Sequence, residues 1–295
     1  RIHKTDELSR AITEKVDLSE MGVTFDIRSG AGHRAALAFS GDCLGACVSS
    51  NDPKKDGVAP LRFRELRDSA SDRKTAAALN SFVEQANDVL DRHPLNHMRQ
   101  SEGLAPANTL LIRGAGEMGH FEAFQERWGL SGSVIAAATL IQGIGKAVGL
   151  QNVPVAGATG SVDTNLGGKV EAVLKELGSR EFVLLNIKGA DEAGHDGHAK
   201  EKKEFIEKID AAMGPLVGME KCLLVICADH STPCNIRDHS ADPVPVVIHG
   251  EGIRTDSVRI FDEYTCVSGG LSRLPGSALM PVICDLINRA KKYGA

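Results

Sequence analysis

Two short stretches hold the side chains of this sequence best suited to chemistry. Residues 188–197 read Lys188-Gly-Ala-Asp191-Glu-Ala-Gly-His195-Asp-Gly, and residues 228–239 read Ala-Asp229-His230-Ser-Thr-Pro-Cys-Asn-Ile-Arg-Asp-His239. Each stretch follows an apolar run, FVLLNI at 182–187 and KCLLVICA at 221–228. Singly, these residues fit ordinary roles. Asp-x-x-x-His suits a helix start followed by a surface histidine. Adjacent Asp and His within a strand point to opposite faces, so both reach one ion only where the strand has ended, and Pro233 marks an end nearby. His239 alone fits a loop. Together they are five ligand-type side chains at strand ends, which is how an α/β protein assembles a metal site. Mixed carboxylate and imidazole donors suit Mn²⁺ or Zn²⁺ better than Ca²⁺. Two such ions side by side can clamp the attacking and leaving oxygens of a phosphoryl transfer.

The elements that must position these residues follow from periodicity. In the second part of the chain, helices are expected at 134–149, 167–178, 198–213 and 276–292, with strands at 108–113, 182–188, 221–228 and 243–248. The helical faces turn Val170, Val173, Leu174 and Leu177 inward, then Phe205, Ile206, Ile209 and Met213, then Leu279, Ile283, Leu286 and Ile287. Apolar strands alternating with helices predict a mostly parallel sheet covered on both faces. Ligands bind outside the carboxyl ends of strands in such sheets, where the Asp and His residues lie. The first part differs. A short helix begins at Thr5 or Asp6 and faces Leu8, Ile12 and Val16 inward, and VTFDIRS (23–29) and HRAALAFS (33–40) flank Gly30-Ala-Gly32 as a hairpin. A strand near 61–66 and a long amphipathic helix at 68–93 follow, with a loop at 94–106. The division expected is an α+β domain at 1–103 and a metal-binding α/β domain at 104–295.

Composition narrows the class. The chain has 295 residues, 42% hydrophobic and 25% charged, with net charge −5 and both signs interspersed. No basic stripe suggests nucleic acid, no polybasic helix suggests a membrane surface, and no apolar run nears 18 residues. Seven cysteines at irregular spacing favour a reducing cytosol over a disulfide framework. Cys222, Cys227 and Cys284 sit in apolar runs and read as buried, while Cys43-x-x-x-Cys47 lacks partners for a zinc site. Gly114-Ala-Gly116 lacks the third glycine of a dinucleotide fingerprint, so no nucleotide is expected. Gly143-x-Gly145 reads as close helix packing. A homo-oligomer is compatible with the sequence.

The motifs KGADEAGHDG (188–197), ADHSTPC (228–234), HSADPVPV (239–246), GATGSVDT (157–164) and the C-terminal segment from Ser268 resemble the archaeal-type cofactor-independent, that is 2,3-bisphosphoglycerate-independent, phosphoglycerate mutases of the alkaline phosphatase superfamily. Weaker echoes are GHR (32–34), NDP (51–53), HPLN (93–96) and APANTLLIRGAG (105–116), so the likeness runs along nearly the whole chain. The resemblance implies an alkaline-phosphatase-like sheet domain with a smaller inserted substrate-binding domain. It implies metal-dependent interconversion of 2- and 3-phosphoglycerate through a phosphoserine. One ion would be held by Asp191, His195 and His239, and a second in part by Asp229 and His230. Mn²⁺ is the first expectation, with Zn²⁺, Co²⁺ or Mg²⁺ as alternatives, and no 2,3-bisphosphoglycerate is needed.

In such enzymes an N-terminal strand ending in Asp-Gly and a nucleophilic serine complete the second site. Neither motif is found here: Asp56-Gly57 has no preceding strand, and Ser49-Ser50 lie in a loop. The chain opens at Arg1, and the expectation is that the N-terminal part of the sheet domain lies outside it, leaving this piece without turnover alone. Phosphate and carboxylate groups of the substrate call for converging cations. The candidates are Arg34, Arg99, Arg113 and Lys188, with Asp52 beside them and His33 as the acid/base group. Other readings stay open: a phosphohydrolase or mutase of the same superfamily acting on another phosphorylated acid, or a non-catalytic metal-binding fragment.

Overall fold

A computed structural model describes residues 5–30 and 33–290. The chain forms two compact units, Arg1–His120 and Phe121–Ala295.

The first unit is built on one long helix. Helix α1 (Thr5–Lys15) buries Leu8 and Ile12, and Val16 just beyond it is buried too. Strands β1 (Thr24–Ser29) and β2 (Ala35–Ser40) form the expected antiparallel hairpin, Thr24 opposite Ser40 and Ser29 opposite Ala35. Of its turn, Ala31 and Gly32 lie outside the described residues. Helix α2 (Ala70–Asp91) lays Ala78, Phe82 and Ala86 into the core. The Phe82 ring meets Phe25 and Phe39 edge-on, with centroids 5.0 and 5.6 Å away, an arrangement worth about 0.5–1.5 kcal/mol per pair beyond area burial.

Three expectations in this unit are corrected. The segment 94–106 is not all loop: Pro94–Ser101 is helix α3, started by proline in its first turn and capped by His93, whose Nδ1 accepts from Leu95 N. Residues 61–66 form no strand, and only Glu65 makes an isolated bridge, to Val48. The amide of Asn80 takes both backbone groups of Phe63 at 2.9 Å, where a ladder partner would bond. Residues 108–113 form no strand either. Buried Asn51 accepts from Ile112 N at 2.6 Å and donates to Leu110 O at 2.9 Å. Leu110 and Ile112 thereby pack onto the first unit's core.

The second unit contains helix α4 (Phe124–Trp128), strand β3 (Gly132–Ile135), helix α5 (Thr139–Ala147), strand β4 (Gln151–Asn152), helix α6 (Leu166–Leu177) and strand β5 (Phe182–Leu185). The helix expected from 134 thus begins later, because its first residues are the central strand. The sheet order is β4-β3-β5, all parallel, with Gly132 opposite Phe182 and Ile135 opposite Leu185. Helices α7 (Gly189–Asp196) and α8 (Ala199–Val217) follow, then strands β6 (Leu224–Cys227) and β7 (Val246–His249), and finally α9 (Leu279–Leu286).

Strands β6 and β7 are not parallel to each other: they pair antiparallel, Leu224 with His249 and Cys227 with Val246. Their connection contains no crossover helix, which a parallel pair requires. Val170, Val173, Met213 and Leu216 are buried with Ile135 beneath the strands, while Leu174 and Ile206 face outward. Cys284 is buried, but Cys222 is only half-buried and Cys227 is exposed at the end of β6. The C-terminal helix is shorter than expected, since residues 276–278 are a 3₁₀ turn and Asn288 adopts φ 58°. Among the described residues, β5 pairs only with β3 and β6 only with β7. Val183, Leu185 and Leu224 pack against the same apolar cluster.

Candidate metal centre

Strand β5 delivers its chain to helix α7 through Asn186, Ile187 and Lys188. The carbonyl of Asn186 is held at 3.2 Å by the Nζ of Lys169, a lysine of α6 that is 1% exposed and whose pKa burial pushes down. Helix α7 starts at Gly189 because only glycine fits there. A Cβ would lie 2.7 Å from the Phe205 ring and 2.8 Å from the backbone of Ser161. The 157–164 loop at that contact is closed internally, Thr159 Oγ1 donating to Asp163 at 2.6 Å and Thr164 Oγ1 accepting from Thr159 N. The helix ends at Gly197, φ +76°, the left-handed position that favours glycine.

Asp191 and His195, four apart, fall on one face of α7. The loop after β6 brings His230 and His239 to the same place, and the Ser231–Ser240 bridge ties its two limbs together. Asp191 Oδ1 lies 3.4 Å from His195 Nε2 and 3.6 Å from His239 Nε2, and the two imidazole nitrogens are 3.2 Å apart. His230 joins the cluster from the other side. Its ring stacks on His239 at 3.7 Å, and Asp191, His230 and His239 form a second triad whose ligand atoms all lie within 4.8 Å. The two triads share Asp191 and His239. Asp229 sits at the rim, 74% exposed, with its carboxylate 3.5 Å from His230 Nε2.

The spacing fits a metal. Donors about 2.0–2.2 Å from a tetrahedral ion stand about 3.3–3.6 Å from one another, close to the 3.2, 3.4 and 3.6 Å edges of the first triad. Charge fits as well. Burial acts to raise the Asp191 carboxyl, but hydrogen bonds from Lys188 and Thr232, with the charges of Lys188 and His195, outweigh it and hold the group down at about 2. Asp191 is therefore an anion at neutral pH, ready to accept a cation.

Lys188 reaches the cluster, its ammonium paired with Asp191 Oδ2. The remaining sequence candidates lie in the first unit. His33 and Arg34 are exposed at the β1–β2 turn, where Arg34 O accepts from Gly30 N at 2.7 Å. Asp52 and Arg113 are brought together as an ion pair at 3.5 Å. Arg99 donates from Nε to the carbonyl of Ala105 at 2.9 Å, which fastens the chain leaving α3.

One site residue escaped the sequence reading. Thr232 is 4% exposed, and its Oγ1 donates to Asp191 Oδ1 at 2.6 Å while lying 3.2 Å from His230 Nδ1. Its only sequence signal is a hydroxyl two residues after His230 in a Ser-Thr pair that also suits a turn.

The profile of the Metalloenzyme superfamily matches residues 64–286, and that of 2,3-bisphosphoglycerate-independent phosphoglycerate mutase matches residues 1–96. A relative named 2,3-bisphosphoglycerate-independent phosphoglycerate mutase from Methanoculleus marisnigri is 58% identical over 295 residues, covering 100% of this chain and 72% of its own. The solved cofactor-independent phosphoglycerate mutase from Thermoplasma acidophilum is 30% identical, with TM-score 0.70, over 97% of this chain and 71% of that one. The PH0037 protein from Pyrococcus horikoshii is 40% identical, with TM-score 0.74, over 77% of this chain and 60% of that one.

Proposed function

The chain belongs to the 2,3-bisphosphoglycerate-independent phosphoglycerate mutase family, within the metalloenzyme superfamily, and from that premise we propose how its residues share the interconversion of 2- and 3-phosphoglycerate. The observation that carries the reading is the convergence of Asp191, His195, His230 and His239 after β5 and β6.

Asp191, His195 and His239 would hold one divalent ion, and His230 with Asp229 would hold part of a second. Mn²⁺ is the ion proposed, with Zn²⁺, Co²⁺ and Mg²⁺ as the alternatives. When bound, such ions acidify a hydroxyl nucleophile and neutralise charge on a transferring phosphoryl group. Everything else is the work of the chain. Lys188 adds a cation beside Asp191, suited to a phosphate oxygen. Arg34, Arg99 and Arg113 supply guanidinium forks for the phosphate and carboxylate of the substrate, with Asp52 orienting Arg113. His33 moves the proton between the two glycerate hydroxyls as the phosphoryl group changes place. The first unit acts as the substrate-binding insert, excluding water so that the phosphoryl returns to glycerate rather than to solvent.

The nucleophile in this reading is a serine outside these 295 residues. The compartment proposed is the cytosol, on the irregular cysteine pattern. Among the described residues, no helix is long and apolar enough to cross a membrane.

The test is an assay of the full-length protein with 3-phosphoglycerate, coupled to enolase. The expected result is 2-phosphoglycerate formation that needs Mn²⁺, needs no 2,3-bisphosphoglycerate, and is missing from the isolated 295-residue chain. Inorganic phosphate released without 2-phosphoglycerate would instead make the protein a phosphohydrolase. Turnover by the isolated chain would return the nucleophile to these residues.

A further inference from the structure

Thr232 is not a ligand, yet it touches both halves of the cluster. We propose that Thr232 is a positioning residue of the metal centre, whose hydroxyl fixes the tautomer of His230 and couples that imidazole to Asp191. The inference rests on the metal-centre reading above.

The argument is one of donors and acceptors. An ionised carboxylate only accepts hydrogen bonds, so the single hydrogen of Thr232 Oγ1 is committed to Asp191 Oδ1 at 2.6 Å. The same oxygen lies 3.2 Å from His230 Nδ1 and has only lone pairs left to offer it. His230 Nδ1 therefore carries the proton in the neutral ring. That leaves Nε2 bare, on the side where Asp229 Oδ2 lies 3.5 Å away. A bare nitrogen is what a metal needs, and a partner on the other nitrogen is the usual way to secure it. His195 is set in the same sense by another partner: its Nδ1 lies 3.1 Å from the carbonyl of Arg237, leaving Nε2 bare toward Asp191 and His239. In both rings Nδ1 is anchored by an oxygen.

The hydroxyl is held in place by its own backbone. The carbonyl of Thr232 accepts from Lys202 Nζ of α8 at 2.8 Å. Helix α7 is flush against it at Gly194, where a Cβ would come within 2.5 Å of that carbonyl. Two helices thus fix the residue from below, and its side chain is buried where water cannot substitute for the hydroxyl.

The experiment has two arms, both on the full-length protein. The first needs no variant: imidazole ¹⁵N spectra of the metal-free wild type at pH 8 should show neutral His230 protonated on Nδ1, and the Nε2-protonated form would overturn the proposal. The second is calorimetric titration with Mn²⁺. Thr232→Val keeps the shape and removes the hydroxyl, so affinity should fall about 10–100-fold, as for lost partners of ligating histidines. Thr232→Ser should stay within about threefold of wild type, because the hydroxyl is retained. Equal Mn²⁺ affinity in Thr232→Val and wild type, with both folded by circular dichroism, would sink the coupling. A wild-type protein that takes up neither Mn²⁺ nor Zn²⁺ would sink the metal-centre reading itself, while the ¹⁵N spectrum would still decide the tautomer.

Discussion

At the scale of single residues, side-chain amides and carboxylates do work that a backbone ladder does elsewhere. Asn51 is 1% exposed and closes the segment at Leu110 and Ile112 onto the first unit. Removing its side chain leaves a part-buried N–H and a part-buried C=O without that partner, each costing about 1 kcal/mol. Asn51→Ala should therefore lower unfolding stability in urea by about 1–3 kcal/mol, and a loss under about 0.5 kcal/mol would mean the segment is held by packing and by the remaining bonds to Ile112 O. Asp72 is a second case. Its buried carboxylate accepts from Arg67 at 3.0 Å and from Cys47 N at 3.0 Å, and a Cβ on Gly45 would strike it at 2.1 Å. The Arg67 hydrogen bond holds the carboxyl below its ordinary value against the opposing effect of burial. A carboxyl depressed in the folded state contributes stability above its unfolded pKa of about 3.9, and that contribution is lost as pH falls further. Asp72→Asn should flatten the acid limb of a stability profile recorded from pH 6 to 3, and superimposable limbs would show the pair contributes nothing. The convergence of Asp191, His195, His230 and His239 was legible in the sequence because two stretches each place Asp and His after an apolar run. Asn51 and Thr232 were not, because asparagine and threonine outside regular elements also read as turn formers, and Asn80, inside α2, reads as an ordinary polar helix position. Only burial separates the two roles, and burial is a property of the fold.

At the scale of elements, the periodic pattern located some segments and misread others. Helix α2 and the β1–β2 hairpin fell where their patterns put them. The apolar stretches at 61–66 and 108–113 read as strands, but their backbone groups were taken by asparagine side chains. Strand β7 carries the same kind of apolar run as β5, so pattern alone could not give its direction. The length and helix-free character of the loop before it decide that. The glycines of helices show the same limit. Gly143 and Gly194 both interrupt helical runs, yet nothing lies within 4 Å of a Cβ at Gly143, whereas one at Gly194 meets the Thr232 carbonyl at 2.5 Å and its Cγ2 at 3.0 Å. Gly143→Ala should stabilise the protein by about 0.5–1 kcal/mol through helix propensity. Gly194→Ala should destabilise it by about 1–3 kcal/mol, since backbone must move, and should weaken Mn²⁺ binding by displacing α7 from the loop that carries His230. Thermal melts and calorimetry of the two variants check this. Similar behaviour of both would show that the contact between α7 and the loop is not tight.

At the scale of the whole molecule, each unit carries a core of its own. The first is drawn from residues between Leu8 and Ile112, and the second unit's clusters from residues between Phe124 and Leu224. The α/β character of the second unit was legible because its apolar runs alternate with amphipathic ones. The attachment of residues 108–113 was not. They resemble the opening strand of an α/β unit, and what ties them to the first unit is hydrogen bonding to Ser50 and Asn51, about sixty positions earlier in sequence. No local pattern records a contact over that separation. Between the two cores, residues 114–122 are exposed and without regular structure, the kind of segment proteases cut first. Brief trypsin treatment should cleave after Arg113, which is exposed, and yield fragments spanning 1–113 and 114–295. Because neither core loses a member, far-UV circular dichroism should be unchanged after the cut. Asn51→Ala should change the outcome in a defined way. With the segment at Leu110 and Ile112 loosened, the preferred cut should move upstream, to Arg99, and the first fragment should melt at lower temperature. Initial cleavage within α2 or α8, or loss of helix signal on nicking, would mean that the cores are not independent and that the division at 120 has no counterpart in stability.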